Sequence, residues 1–392
     1  MSRSRAGMSA RDPGEAHRSS TPLELFFDLT FVVAVAAAAT GLETGLVEGH
    51  ASRVLLIYPL MFFAIWWAWM NFTWFASAYD VDDVPYRLAV FVQMTGVLIL
   101  AVGVTRAMSH EDFALAVLGY VVMRLAMVAL WIRAALADPA GRRTAVRYAV
   151  GIGVVQIGWS ASLGVPLHER APLFILLAVL ELCVPVVAEG AGRTAWHPRH
   201  IAERLGLFTI IVLGEALLTT SAGVRAALTQ RVALHAILPV VIGGLLIVFG
   251  MWWIYFDLPS ERIAERVRGD GRISGAFLFG YTHYFIVASV AAAGAGFAVA
   301  VHRAAGPSHL TNLEAGFAES VPVAIYVLAV WLVHRPYKTP GWWREVAAPL
   351  AVALILGTSV LSSTLLASGV VISVLVALNL AVVRRRGASR SL

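Results

Sequence analysis

Apolar residues in this chain run in long unbroken blocks, neither alternating nor recurring as narrow stripes. Twelve blocks stand out, at roughly 22–44, 54–78, 85–105, 113–136, 145–165, 171–189, 201–222, 232–256, 273–301, 317–334, 346–365 and 369–383. A membrane helix needs about 20 such residues to cross a hydrocarbon core of about 30 Å. In lipid every backbone N–H and C=O must find a partner within its own segment, so blocks of this kind become helices. The pattern therefore predicts an all-α, polytopic membrane protein with about 12 transmembrane helices. The last block is short, and SSTLLASG before it makes a tight turn.

The polar positions frame these blocks. Residues 1–20 are basic and are expected to form a disordered cytoplasmic tail, and residues 386–392 a basic cytoplasmic C-tail. The first block contains VAVAAAA, as a secretory signal would. It also carries Glu24 and Asp28, which suit a signal core poorly, so it is read as an uncleaved first helix. With a cytoplasmic N-terminus, 23 of the 30 Lys and Arg fall in cytoplasmic segments, six on the far side, and Arg124 lies within a span. That bias fits the positive-inside rule and an even number of spans. It predicts a multi-pass membrane protein with both termini cytoplasmic.

Composition agrees with this class. Hydrophobic residues make up 59% and charged residues 14%, and mean hydropathy is +0.76. Soluble domains hold about 45–50% apolar and about 25% charged residues. The pI near 9.8 raises nucleic acid as a partner. The cations sit at helix ends and alternate between loops, so the lipid bilayer is the expected partner and nucleic acid is not. Cys183 is the single cysteine, which excludes an intrachain disulfide. No cofactor is expected. The sequence leaves oligomeric state open.

A weak internal repeat is present. Glu24 and its apolar run parallel Glu203 and its run, and WMNFTWFASAYD (69–80) parallels FGMWWIYFDLPS (249–260). Six spans per half, 21–190 and 191–385, would make a 6+6 parallel repeat. Interfacial aromatic belts alone account for the aromatic helix ends equally well.

Ionisable residues inside spans are costly, by about 2.5–3.5 kcal/mol at the bilayer centre on insertion scales, and so mark candidate sites. In TPLELFFDLTF, Thr21 is placed as N-cap and Pro22 as first helical residue. Glu24 and Asp28 are four apart and share a face, Asp28 a turn deeper. Glu24 is accounted for by the charge of the helix N-terminus; Asp28 is the stronger candidate. In the span 201–222, Glu215 lies near mid-membrane. Arg204 is eleven residues earlier, within about 20° of the same face and about 16 Å away along the axis. Arg124 and Glu181 each fall near the middle of their spans. Neither stays charged without a partner, and Arg124 is expected to pair with Glu181 or Glu215. His283 could relay protons or serve as a neutral helix–helix hydrogen bond. Asp257 ends its helix and is expected at the interface.

Some signals are weaker. His197, His200 and Glu203 form H-x-x-H-x-x-E, which would suit a metal on one helix face. Pro198 suggests that the helix only begins there, so capping and headgroup contact explain the three better, and no metal is expected. GAGFAVA (294–300) resembles a dinucleotide turn but lies inside a span; its small residues are expected to permit close helix packing. Trp66, Trp67, Trp69 and Trp74 are read as packing and interface anchors.

TPLELFFDLTFV (21–32) and WHPRHIAERLGLFTIIVLGEALL (196–218) closely resemble hallmark segments of the bacterial low-temperature-requirement protein A family, whose patterns are like ELFFDLVFV and HFAERxGLFxIIxLGES. YTHYFIVASVAAAGAG is similar to that family's His-bearing ninth helix. The resemblance spans nearly the whole chain. It implies a multi-pass bacterial inner-membrane protein linked by name to growth in the cold. The positions it implies are Glu24, Phe27, Asp28, His200, Glu203, Arg204, Gly214, Glu215 and His283. Ala216 stands where family members commonly have Ser, and Glu181 where the sixth helix often has Asp.

The expected function is proton- or ion-coupled transport of a small solute or ion not identified by the sequence. Asp28, Glu215, His283 and Glu181 are the candidate coupling groups, and Arg124 and Arg204 their charge partners. A channel, or a non-transporting structural or interaction protein supporting growth in the cold, remains the alternative. No nucleophile–base pair or phosphate loop points to an enzyme.

Overall fold

The computed structural model describes residues 8–11, 19–258, 273–306, 309–337 and 342–388. Most of the two basic tails and the four arginines Arg262, Arg266, Arg268 and Arg272 lie outside the described residues.

Twelve α-helices are described: α1 Pro22–Val47, α2 Ala51–Ala78, α3 Val84–His110, α4 Ala114–Ala137, α5 Arg142–Ala161, α6 Leu167–Glu189, α7 Pro198–Thr229, α8 Leu234–Phe256, α9 Ile273–Ala305, α10 Asn312–His334, α11 Trp342–Gly357 and α12 Thr364–Ala388. The predicted all-α membrane architecture is present. Ten of the twelve are long and apolar enough to cross a membrane. The two others explain themselves. The first turns of α5 hold Arg142, Arg143 and Arg147, which lower its apolar content, and α11 has only 16 residues before a 3₁₀ turn at Thr358–Val360. A minor addition is a two-residue antiparallel pairing of β1 (Ser9–Ala10) with β2 (Tyr79–Asp80).

Sequence punctuation sets the helix ends. Thr21 and Glu24 form a reciprocal cap on α1. The Thr21 hydroxyl accepts the Glu24 N–H at 3.2 Å, and the Glu24 carboxylate accepts the Thr21 N–H at 2.8 Å. Thr311 and Glu314 repeat this capping box on α10. Asp83 accepts the Tyr86 N–H at the start of α3.

The helices form two compact units. One holds Met1–Ala38 and Leu56–Arg204, the other Ala39–Leu55 and Leu205–Leu392. Within the first, α3 lies against α4 so closely that a Cβ on Gly119 would meet the Gly96 carbonyl oxygen at 2.6 Å. Small residues thus bring backbones together where lipid supplies no hydrophobic drive between helices. In the second unit, a Cβ on Gly294 would come within 3.1 Å of the Ala216 Cα, and one on Gly296 within 2.5 Å of the Ala318 carbonyl oxygen. The GAGFAVA stretch is therefore a close-packing face of α9. Large apolar side chains such as Leu29, Leu88, Leu125 and Ile157 are exposed along the outer faces. In water such a surface would be a liability; against acyl chains it is the solvated one.

Candidate functional site

Of the buried carboxylates in the first unit, Asp28 and Glu181 each hold a buried arginine. Asp28 of α1 is fully buried, as is Arg204 of α7. Arg204 donates to Asp28 through Nε, at 3.3 Å, and through Nη2, a two-pronged contact. Trp69 of α2 adds its indole N–H to Asp28 Oδ1 at 2.6 Å. The Arg204 guanidinium carbon also lies 5.6 Å from the Trp69 ring centre and 5.4 Å from that of Phe72. Trp69 therefore serves both partners, as a donor to the acid and as a π-face to the cation. Phe27, beside Asp28 in the chain, is fully buried, and its ring lies tilted with its centre 3.9 Å from that of Phe72, which walls the pair.

Glu24 lies one turn before Asp28, only 2% exposed, and meets His200 Nε2 at 3.3 Å. It caps α1, as its place in the first turn suggests, and ties α1 to the start of α7. Glu203 takes the Ser20 N–H at 3.3 Å. The side chains of His200 and Glu203 thus have different partners, while His197 Nδ1 accepts the His200 N–H at 3.4 Å.

Glu181 of α6 is the second centre, and it is saturated. Trp67 donates to Oε2 at 3.0 Å and Arg124 Nη2 at 2.5 Å; Tyr120 donates to Oε1 at 3.1 Å and Gln156 Nε2 at 2.9 Å. Four donors from α2, α4 and α5 match the four lone-pair positions of one carboxylate. Of the two partners the sequence offers, Arg124 meets Glu181. Arg124 is 1% exposed, and its Nε and Nη1 have no hydrogen-bond partner among the described residues.

The tryptophans correct the sequence reading. Trp67 and Trp69 are not only packing and anchors; each delivers its N–H to a different buried acid. Two residues apart on a helix is about 200°, so they point to opposite sides of α2. The available signal was chemical: an indole N–H near a buried acid is a ready donor, although Trp131 and Trp159 have no hydrogen-bond partner for theirs among the described residues.

The second unit carries different chemistry. Glu215 of α7 is 5% exposed. Its Oε1 accepts the Thr219 hydroxyl at 2.6 Å, while Oε2 has no hydrogen-bond partner among the described residues. His283 of α9 is 1% exposed, with both ring nitrogens engaged: Nδ1 lies 2.7 Å from the Phe279 carbonyl and Nε2 3.0 Å from the Tyr255 hydroxyl on α8. A carbonyl only accepts, so Nδ1 carries the proton and a neutral ring accepts from Tyr255 through Nε2. Gly214 is unexplained by crowding, since a Cβ there would meet nothing within 4 Å. Asp257 follows α8 directly.

Sequence reasoning missed two buried acids among the described residues: Glu189, which ends α6, is 4% exposed and accepts the Tyr148 hydroxyl at 3.0 Å, and Glu319 is the other. Glu319, in the second turn of α10, is 3% exposed and pairs with Arg303 of α9 at 3.2 Å; Arg303 also reaches Asn312 at 2.9 Å. Its signal was an acid inside an apolar run, the same signal that marked Glu181.

Fold and buried charges together define a polytopic helical membrane protein with ion pairs and acids inside its helical units. The chain belongs to a known family of that kind: the model for the bacterial low temperature requirement A protein (LtrA) matches residues 19–380. A relative, the uncharacterized protein RA0937 of Rhizobium meliloti (strain 1021), is 30% identical over 283 residues, which cover 68% of this chain and 66% of that protein, just under two thirds of its length.

Proposed function

We propose that the protein is a proton- or ion-coupled membrane transporter in which Glu215 is the exchanging carboxylate. The observation that carries this reading is the contrast among its acids. Asp28 and Glu181 are locked by guanidinium and indole donors, which suits fixed helix–helix ties. Glu215 has one hydroxyl donor and one unengaged oxygen, which suits a group that gains and loses an ion. Asp28 and Glu181 then hold the scaffold, and Arg124 and Arg204 are their counter-charges. His283 is a hydrogen-bonded tie to Tyr255. The arginine bias supports an inner-membrane location with both termini cytoplasmic, and the two Glu-led apolar runs support a 6+6 parallel repeat.

Substitution tests this. Glu215→Gln should insert and fold like wild type and abolish solute-linked ion flux in proteoliposomes. Asp28→Asn and Glu181→Gln should instead lower the amount of folded protein. A second reading, a non-transporting structural protein, draws on the four-donor saturation of Glu181. It requires that Glu215→Gln also destabilise the fold and that activity in cells track protein level.

A further inference from the structure

Among the described residues the one hydrogen bond seen at the Glu215 carboxylate is from the Thr219 hydroxyl to Oε1, and Oε2 has no hydrogen-bond partner. Its own helix α7 runs unbroken from Pro198 to Thr229, and α9, lying against it at Gly294, runs unbroken from Ile273 to Ala305. A Cβ on Gly294 would be 3.1 Å from the Ala216 Cα and 3.9 Å from Glu215 Oε2, so the bare backbone of α9 faces the carboxylate. In unbroken helices the carbonyls are already bonded four residues on. Sodium-binding transporters use unwound carbonyls and half-helix ends for that ion, and neither helix offers them here. The side-chain oxygen that reaches the carboxylate among the described residues is the Thr219 hydroxyl, already given to Oε1.

The charged groups of α7, α8 and α9 lie along the helices away from Glu215, and Glu319 of α10 packs at Gly296, about 200° around α9 from Gly294, and pairs with Arg303. On α7, Arg204 and Arg225 lie eleven and ten residues away, about 15–16 Å along the axis. The titratable groups of α9 nearest Gly294 are His302 and Arg303 on one side and Tyr284 and His283 on the other, all eight or more residues away, about 12 Å or farther. Helix α8, which meets α7 where a Cβ on Gly244 would lie 4.0 Å from Thr220, holds only His235 and Tyr255 as titratable groups, both near its ends. No ion pair to Glu215 occurs among the described residues, whereas Asp28 and Glu181 each have an arginine.

From this shell we propose that the ion exchanged at Glu215 is a proton, and that a metal cation such as sodium or potassium does not bind there. A proton needs one free oxygen and no further ligands. A metal cation needs several oxygens to replace its water. The proposal rests on the transport reading for its consequence, but the site's protonation can be tested without any flux.

The test uses the full-length protein in detergent or liposomes and dicyclohexylcarbodiimide, an apolar reagent for protonated carboxyl groups. The acid's O–H adds across one C=N bond. The carboxyl oxygen joins the central carbon, the proton goes to nitrogen, and the O-acylisourea rearranges to a stable N-acylurea; nothing leaves. Peptide mass spectrometry then locates the adduct. The expected result is labelling of Glu215 that declines as pH rises and is unchanged by sodium or potassium at fixed pH. Asp28 and Glu181 should stay unlabelled, as ion-paired carboxylates. Glu215→Gln loses the adduct and serves only as a control on assignment. Protection of Glu215 by sodium or potassium at constant pH would overturn the proposal, and so would failure of Glu215 to label at acid pH while the protein remains folded. Proton-type labelling without any flux would keep this proposal and remove the transport reading.

Discussion

Replacing Asp28 by asparagine keeps the shape of the side chain and removes its charge. The native carboxylate accepts from Trp69 at 2.6 Å and from Arg204 through Nε at 3.3 Å and through Nη2. An amide offers one oxygen and two N–H groups, so one of these donors would face another donor. Arg204, fully buried, would lose its counter-ion. Removing one member of a buried pair costs about 3–5 kcal/mol. Glu24 lies one turn along α1, and its field also reaches Arg204. The low end, about 3 kcal/mol, is therefore expected for Asp28→Asn. Arg204→Met strands the acid with only the Trp69 donor and should cost about 3–5 kcal/mol. The double variant contains no buried charge at this pair and leaves Trp69 an oxygen to bond. It should fall within about 1–2 kcal/mol of wild type, less damaged than either single variant. Unfolding in mixed micelles by a denaturing detergent, followed by tryptophan fluorescence, measures all three. Single variants within about 0.5 kcal/mol of wild type, or a double variant worse than both, would refute the reasoning.

Further predictions follow the same geometry. Trp69→Phe keeps the ring beneath Arg204 and removes only the donor to Asp28, so a loss of about 1–3 kcal/mol is expected by the same unfolding assay, against near-neutrality if the indole is packing alone. Gly296→Ala would press a Cβ to 2.5 Å from the Ala318 carbonyl oxygen and should lower stability by about 1–3 kcal/mol, while Gly214→Ala, in open space, should not lower it. Asp112, in the loop after α3, is held below the usual carboxylate range by the Ala114 N–H and by Arg106. A depressed folded pKa stabilises above the unfolded carboxylate pKa and is lost as pH falls through the folded value. The stability difference between wild type and Asp112→Asn should therefore be present at neutral pH and vanish in acid; a difference constant across pH would refute it.

Much of the fold was legible because lipid leaves a chain few choices. Once a run of apolar residues is long enough to cross the bilayer, backbone satisfaction alone makes it a helix. The sequence hesitated at its last block, yet that block is a full helix, α12, which takes in Thr364–Gly369 of SSTLLASG; the two helices that fall short are α5, with three arginines in its first turns, and α11, ended by the GTSVLSST stretch. The cap of α1 was readable at residue level, since Thr21, Pro22 and Glu24 form a local motif. Partner choice was less legible. Arg204 shares a helix stripe with Glu215, yet it is committed to Asp28, 176 residues earlier in the chain. Helical periodicity orders residues within one element and carries no information about which acid faces them from another. The same limit hid the roles of Trp67 and Trp69, whose ring sizes suggested packing while their N–H groups decided their partners.

If Glu215 is the carboxylate that exchanges an ion during transport, its neutral variant should carry no coupled flux. The most direct measurement is internal pH in proteoliposomes loaded with a pH-sensitive dye, under an imposed gradient with pooled metabolites and ions. Wild type and Glu215→Gln would be reconstituted at matched amount and folded fraction. The account predicts solute-dependent proton movement in wild type and none in the variant. Equal proton movement in both, or none in well-inserted wild type under any gradient, would contradict it.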